Sequence, residues 1–246
     1  MTRRVLITRP QDDAAPLAER LAALGFESLI DPLLVIEITE GPALDLDGVQ
    51  AILMTSANGA RALARRTRDR TLPVFAVGDA SAEISRALGF ERVESAGGDV
   101  AALAERVKQR LSPRNGALVH VKGTRVAGDL AGDLESAGFS VRREVLYAAH
   151  PADRLSAHTI ESLKVGRLDA VLLYSPRTAA TFTALVQAAG LGESCKPMTA
   201  FCLSLAVAEA AAEVPFMDMR VASVPNQDAL LEAIERWKFE QNGDPA

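Results

Sequence analysis

Short apolar, often β-branched runs alternate along this chain with longer stretches in which apolar residues recur every three or four positions. The runs are Val5–Thr8, Ser28–Ile30, Gln50–Met54, Val74–Val77 and Arg92–Ser95, then Ala117–Val121, Ser140–Val145, Ala170–Tyr174, Thr199–Cys202 and Val221–Val224. Their length and composition predict strands. Between them, Ala14–Leu24 sets Leu17, Leu21 and Leu24 on one helical face, and Gly128–Ala137 does the same with Leu130 and Leu134. Strands that are apolar on both faces and alternate with amphipathic helices predict parallel sheets covered by helices. The expected fold is α/β.

The pattern occurs twice. Val5-Leu-Ile-Thr-Arg-Pro10 reappears as Leu118-Val-His-Val-Lys-Gly123, and each opens a helix pattern ending in Gly-Phe, at Gly25-Phe26 and Gly138-Phe139. Ala51–Ala60 then matches Ala170–Ala179, Pro73–Gly78 matches Pro197–Cys202, and Gly97-Gly-Asp99 matches Asn226-Gln-Asp228. The offset creeps upward by a few residues from pair to pair, as expected for a duplicated, domain-sized unit with variable connections. Two similar lobes facing one another would form a cleft, the usual place for a ligand. The stretches Pro32–Glu40 and Val145–Pro151 each follow the second strand of a repeat and lead into no helix pattern. They are expected to be extended connectors that cross between lobes, so that each lobe draws on both repeats.

Composition narrows the function classes. At 246 residues, with 48% hydrophobic and 24% charged residues, the chain fits two ordinary globular domains. A net charge of −5 argues against broad nucleic-acid binding, so any anionic ligand must be held by local donors. No apolar run is long enough for a bilayer, and Arg9 interrupts the short apolar N-terminal stretch, so a cytoplasmic protein without a membrane partner is expected. Cys195 and Cys202 suggest neither a disulfide framework nor a metal site. The basic run Arg61, Arg65, Arg66, Arg68 and Arg70 reads either as a solvated helix end and loop or as a cleft rim meeting carboxylates or phosphates.

In an open parallel sheet, ligands bind beyond the carboxyl ends of the strands, at helix N-termini. The residues in those places are Thr8, Arg9 and Pro10, then Thr55, Ser56 and Asn58, then Gly78 and Ser81, and the Gly97-Gly-Asp99 turn. The second repeat offers Lys122, Gly123 and Arg125, then Tyr174, Ser175 and Arg177, then Ser204, and finally Asn226 and Gln227. Small hydroxyls and glycines let backbone N–H groups approach a carboxylate or phosphate. The same residues also serve as helix caps without any ligand. Dinucleotide, phosphate-loop, nucleophile-elbow and zinc signatures are absent from the sequence. Of the histidines, His120 in a strand is expected to be buried with its ring nitrogens satisfied, His158 to be exposed, and His150 to lie in a connector.

Assembled in order, these motifs resemble the uroporphyrinogen-III synthase family. The resemblance rests on Leu6-Ile-Thr-Arg-Pro10, Met54-Thr-Ser-Ala-Asn-Gly59, Ala76-Val-Gly-Asp-Ala80, Gly97-Gly-Asp99, Leu173-Tyr-Ser-Pro-Arg177 and Ser223–Leu230. Each motif is weak, and the specificity lies in the series, which spans essentially the whole chain.

The resemblance implies two flavodoxin-like lobes from an internal duplication, joined by a two-stranded connector. Residues 1–33 and 152–246 would form a discontinuous lobe and residues 41–146 a contiguous one, with connectors at about 34–40 and 147–151. It implies cyclisation of the linear tetrapyrrole hydroxymethylbilane, supplied by the preceding enzyme of the pathway, to uroporphyrinogen III with ring D inverted and water lost. The hydroxyl departs to leave an azafulvene, and closure passes through a spiro intermediate, with no cofactor and no metal; a monomer is expected. The family's connector tyrosine falls on Tyr147, whose phenol would donate a hydrogen bond to the departing hydroxyl. Tyr174 is expected to line the cleft. One departure stands out, because Cys202-Leu-Ser-Leu-Ala206 replaces the family's glycine-led turn, leaving Ser204 as the hydroxyl donor. The competing reading is a two-lobed cytoplasmic binding protein for a small anion, which the same donors would serve.

Overall fold

The computed structural model describes residues 2–124 and 128–240. Arg125 and the polar tail from residue 241 lie outside the described residues. The chain divides into two compact units, one formed by residues 1–35 and 150–246 and the other by residues 36–149.

The first unit is built on a five-stranded sheet. Its strands are β1 (Arg4–Ile7), β2 (Glu27–Ile30), β9 (Ala170–Leu173), β10 (Thr199–Cys202) and β11 (Asp218–Val221), in the order β11-β10-β9-β1-β2. Every pairing is parallel. Alternate side chains enter opposite cores, as a period of two requires. Val5, Ile7, Leu172 and Phe201 meet Leu17 and Leu21 of α1 (Gln11–Ala23) and Leu230, Ile234 and Trp237 of α9 (Gln227–Glu240). Leu6, Val171, Leu173 and Ala200 meet Leu163 of α6 (Ala157–Lys164), Phe182 and Val186 of α7 (Pro176–Ala188) and Val207 of α8 (Leu205–Ala210).

The second unit carries a six-stranded sheet of β3 (Leu34–Ile38), β4 (Val49–Met54), β5 (Val74–Ala76), β6 (Val93–Ser95), β7 (Ala117–Gly123) and β8 (Val141–Pro151), in the order β3-β8-β7-β4-β5-β6. The pairings from β8 through β6 are parallel. One face packs Ile52, Met54, Val119 and Val121 with Leu63 of α2 (Ala57–Arg66) and Ala82 of α3 (Asp79–Ala87). The other packs Ala51, Leu53, Phe75 and Leu118 with Leu103 and Val107 of α4 (Val100–Arg110) and Leu130 and Leu134 of α5 (Leu130–Ser136). The expected α/β class with parallel sheets is what the chain adopts.

Several boundaries differ from the sequence reading. Ser140–Val145 and the following connector form one continuous strand, β8. The last strand lies at Asp218–Val221 rather than Val221–Val224, because Asp218 to Val221 pair in register with Thr199 to Cys202. Helix α1 begins at Gln11, three residues before its apolar stripe, with Asp12 and Asp13 at its positive N-terminal end. The basic run is tied down locally in several places. Arg66 donates to the carbonyls of Pro42 and Thr39, and Arg70 donates to those of Ala64, Thr67 and Leu88 while stacking on Phe90 at 4.7 Å.

Candidate functional site

Each sheet has one point where successive connections leave in opposite directions, the place at which open α/β sheets generally bind their ligands. In the second unit this point falls between β7 and β4. Strand β7 ends at Gly123 and β4 leads into Thr55 and Ser56. Ser56 is the N-cap of α2, with extended backbone, and its Oγ accepts from the N–H of Gly59 at 3.0 Å. The same oxygen lies 2.7 Å from the phenol oxygen of Tyr147 on β8. Tyr147 is buried, at 9% exposure. It stands opposite Gly123, where the register of β7 and β8 shifts, and the carbonyl of Tyr147 accepts from Thr124 N–H at 3.1 Å. A Cβ on Gly123 would lie 2.8 Å from two ring carbons of Tyr147. Glycine at 123 therefore makes the room in which the ring sits.

Around that pair, Thr55 and Asn58 are half-buried, and Asn58 Oδ1 accepts from Arg61 at 2.9 Å. Lys122 is half-buried at the same strand end, and its ammonium makes no hydrogen bond or ion pair with the described residues. Gly78 caps α3 with extended backbone, and a Cβ there would meet only the Gly98 carbonyl, at 3.9 Å. Ser81 is buried within α3, where its carbonyl accepts from Ser85. Asp99 caps α4 by accepting from Ala102 N–H.

In the first unit the corresponding point lies between β1 and β9. Arg9 occupies it. Its guanidinium lies 4.4 Å over the ring of Tyr174, donates to Gln227 Oε1 at 2.7 Å and pairs with Asp13 at 3.2 Å. Among the described residues the buried Tyr174 hydroxyl has no hydrogen-bond partner, and that burial pushes its pKa up to about 12 against the opposing pull of Arg9. Pro10 caps α1. Ser175 caps α7, accepting from Thr178 N–H at 3.1 Å, with Arg177 half-buried in the first turn. Asn226 accepts from Ala229 N–H at 2.9 Å. Ser204 precedes α8 and its side chain makes no capping bond. The preceding Cys202 is fully buried at the end of β10, and burial raises its thiol to about 11.

Two expectations are corrected. Thr8 does not offer its hydroxyl at the strand end, because it is fully buried and donates to the Leu172 carbonyl at 2.7 Å. His120 is buried, but neither ring nitrogen has a hydrogen-bond partner among the described residues. Burial, aided by Lys122 and Arg143, lowers its pKa to about 4. The sequence reading marked Ser56 and Tyr147 separately but missed their contact, since 91 residues separate them and no spacing announces it. It also missed Asp13 beside Arg9. The four-residue spacing of Arg9 and Asp13 across the start of α1 was the signal that could have found it.

The profile of the family described as Uroporphyrinogen-III synthase HemD matches residues 15–232. The chain belongs to the uroporphyrinogen-III synthase family. No curated protein sequence matches the chain. Among solved structures, the Helicobacter pylori uroporphyrinogen-III synthetase is similar with a TM-score of 0.66 at 15% identity, over 96% of this chain and 100% of that one. A mutant uroporphyrinogen III synthase from Thermus thermophilus is similar with a TM-score of 0.51 at 18% identity, over 97% and 100%. At such identities these likenesses concern the fold. Family membership places the chain in tetrapyrrole biosynthesis. Among the described residues, no helix is long and apolar enough to cross a membrane, and no group of His, Cys, Asp and Glu side chains could hold a metal ion.

Proposed function

We propose that this chain cyclises hydroxymethylbilane to uroporphyrinogen III, inverting ring D and releasing one water. The observation that carries the reading beyond family membership is the Tyr147 phenol, held against Ser56 Oγ at the second unit's strand ends. A phenol can give its proton to a departing hydroxyl. The C–O bond of the substrate's hydroxymethyl group breaks, and its oxygen leaves as water with the proton from Tyr147. The pyrrole nitrogen supplies the electron pair and gives up its own proton, which restores the phenol and leaves a neutral azafulvene. Closure through a spiro intermediate is then an isomerisation, and the sequence of steps needs no cofactor.

The substrate closes to the type I isomer unaided, so the protein's contribution is chiefly to hold the conformer that inverts ring D. Its carboxylates would be held by local donors. In the second unit these are Lys122, unpaired among the described residues, the half-buried Thr55 and Asn58, and the open backbone at Gly78. In the first unit they are Arg9, Ser175, Arg177, Ser204, Asn226 and Gln227. Such donors reconcile a net charge of −5 with an anionic substrate.

We also read the two units as products of one duplication, each with a flavodoxin-like strand order. Supporting this, β1-α1-β2 in one unit and β7-α5-β8 in the other each stand beside three further parallel strands in the same spatial order. Strands β3 and β8 would then be the connector.

A thermal-shift comparison tests the binding half of the proposal. A ligand of the folded state raises its melting temperature. Uroporphyrinogen should stabilise the protein and a nucleotide should not. The reverse pattern would favour the small-anion binding protein instead.

A further inference from the structure

We propose that Ser56 is a positioning residue that donates its proton to the Tyr147 phenol oxygen and so turns the phenol's own proton toward the substrate. The inference rests on Tyr147 acting as the proton donor in the cyclisation above. The Ser56 oxygen has one proton to give and two lone pairs. The N–H of Gly59 already occupies one lone pair, at 3.0 Å. Its proton is then free for the phenol oxygen 2.7 Å away.

With the phenol accepting, Tyr147 keeps its own O–H as a donor with no partner among the described residues. Were the direction reversed, the phenol would spend its proton on Ser56 and have none to offer. Helix α2 strengthens the first arrangement. The Gly59 N–H polarises the serine O–H, and bonds in such a chain reinforce one another. The second fixed point is Gly123, whose missing Cβ leaves room for the Tyr147 ring and its hydroxyl. Helix start, serine, phenol and glycine thus form a chain that ends on one aimed proton.

A cap alone would also require Ser56, so the test must separate the two roles. Glycine is nearly as good an N-cap as serine, whereas it removes the hydroxyl entirely. Ser56→Gly should therefore stay folded, its melting temperature lowered no further than in Tyr147→Phe, which loses the same hydrogen bond, while kcat for type III formation falls about tenfold, with KM little changed. Such a loss is small beside the full effect of a placed acid. Ser56→Thr, which returns a hydroxyl on the same cap, should recover most of the loss.

The deciding measurement is the double-mutant cycle with Tyr147→Phe. If Ser56 acts through the phenol, Ser56→Gly should change kcat less than about twofold once the phenol is gone. A tenfold loss in both backgrounds would overturn the proposal and place Ser56 against the substrate itself. An unchanged kcat for Ser56→Gly in the parent would reduce Ser56 to a cap. Failure of the cyclase reading is separate from both outcomes, because the parent protein would then form no type III product at all.

Discussion

A Cβ placed on Gly123 would stand 2.8 Å from Cε2 and Cζ of the Tyr147 ring and 3.2 Å from its hydroxyl oxygen. Real Cβ atoms do not approach an aromatic ring so closely, and the ring has little room to retreat. It packs in the core with Met54, Val121 and Leu146, with its hydroxyl on Ser56. A change at 123 is therefore read out at 147.

Gly123→Ala should displace the Tyr147 ring. Overpacking of this kind costs about 1–3 kcal/mol, which urea denaturation would register. Type III formation should fall by more than that stability loss explains, since the variant remains mostly folded at room temperature. Full activity in a folded Gly123→Ala protein would show that the position of Tyr147 is immaterial.

Tyr147→Phe keeps the ring and its packing and removes only the hydroxyl. The hydrogen bond to Ser56 is worth about 1 kcal/mol, so the protein should stay folded. Loss of a general acid should lower kcat by roughly a hundredfold. Steady-state kinetics equal to the parent's would remove Tyr147 from the chemistry, and a large loss of stability would make it a packing residue.

Arg9 joins three elements in the first unit, touching Tyr174 after β9, Gln227 at the start of α9 and Asp13 on α1. Arg9→Ala should cost about 2 kcal/mol, from lost stacking and from partners left unpaired. Arg9→Lys should recover little of it, because an ammonium cannot stack as a plane while bonding two partners at its edge. Chemical denaturation of the three proteins checks the order.

His120 gives a pH signature. Its folded-state pKa is lowered from 6.5 to about 4, chiefly by burial, with Lys122 and Arg143 adding to the effect and Asp129 opposing it. The unfolded chain therefore binds this proton first as the pH falls. Stability from this source is fully present above about pH 6.5 and is lost between there and pH 4, by on the order of 3 kcal/mol. His120→Leu should flatten that part of the stability profile relative to the parent. Parallel profiles for the two proteins would show that His120 is not buried neutral.

Much of the fold was legible because its central strands are apolar on both faces and its helices carry leucines at helical spacing. Where the reading slipped, tertiary pairing had overruled local composition. Val221–Val224 looks like a strand, yet the ladder on β10 selects Asp218–Val221, with Arg220 held by Asp218 and Glu240. The strand-end positions were legible from topology alone. Which of them still offer a free donor was not. Thr8 and Ser56 look alike in sequence, but one hydroxyl is spent on a buried carbonyl and the other meets a phenol. Lone histidines in strands are usually satisfied, and nothing in the neighbouring sequence marks His120 as the exception.

The most direct test supplies freshly generated hydroxymethylbilane to the purified protein and resolves the type I and type III products by chromatography. The expected result is a type III excess over the control without protein, largely lost in Tyr147→Phe. Type I alone, from folded protein, would contradict the assignment of this chain as a cyclase.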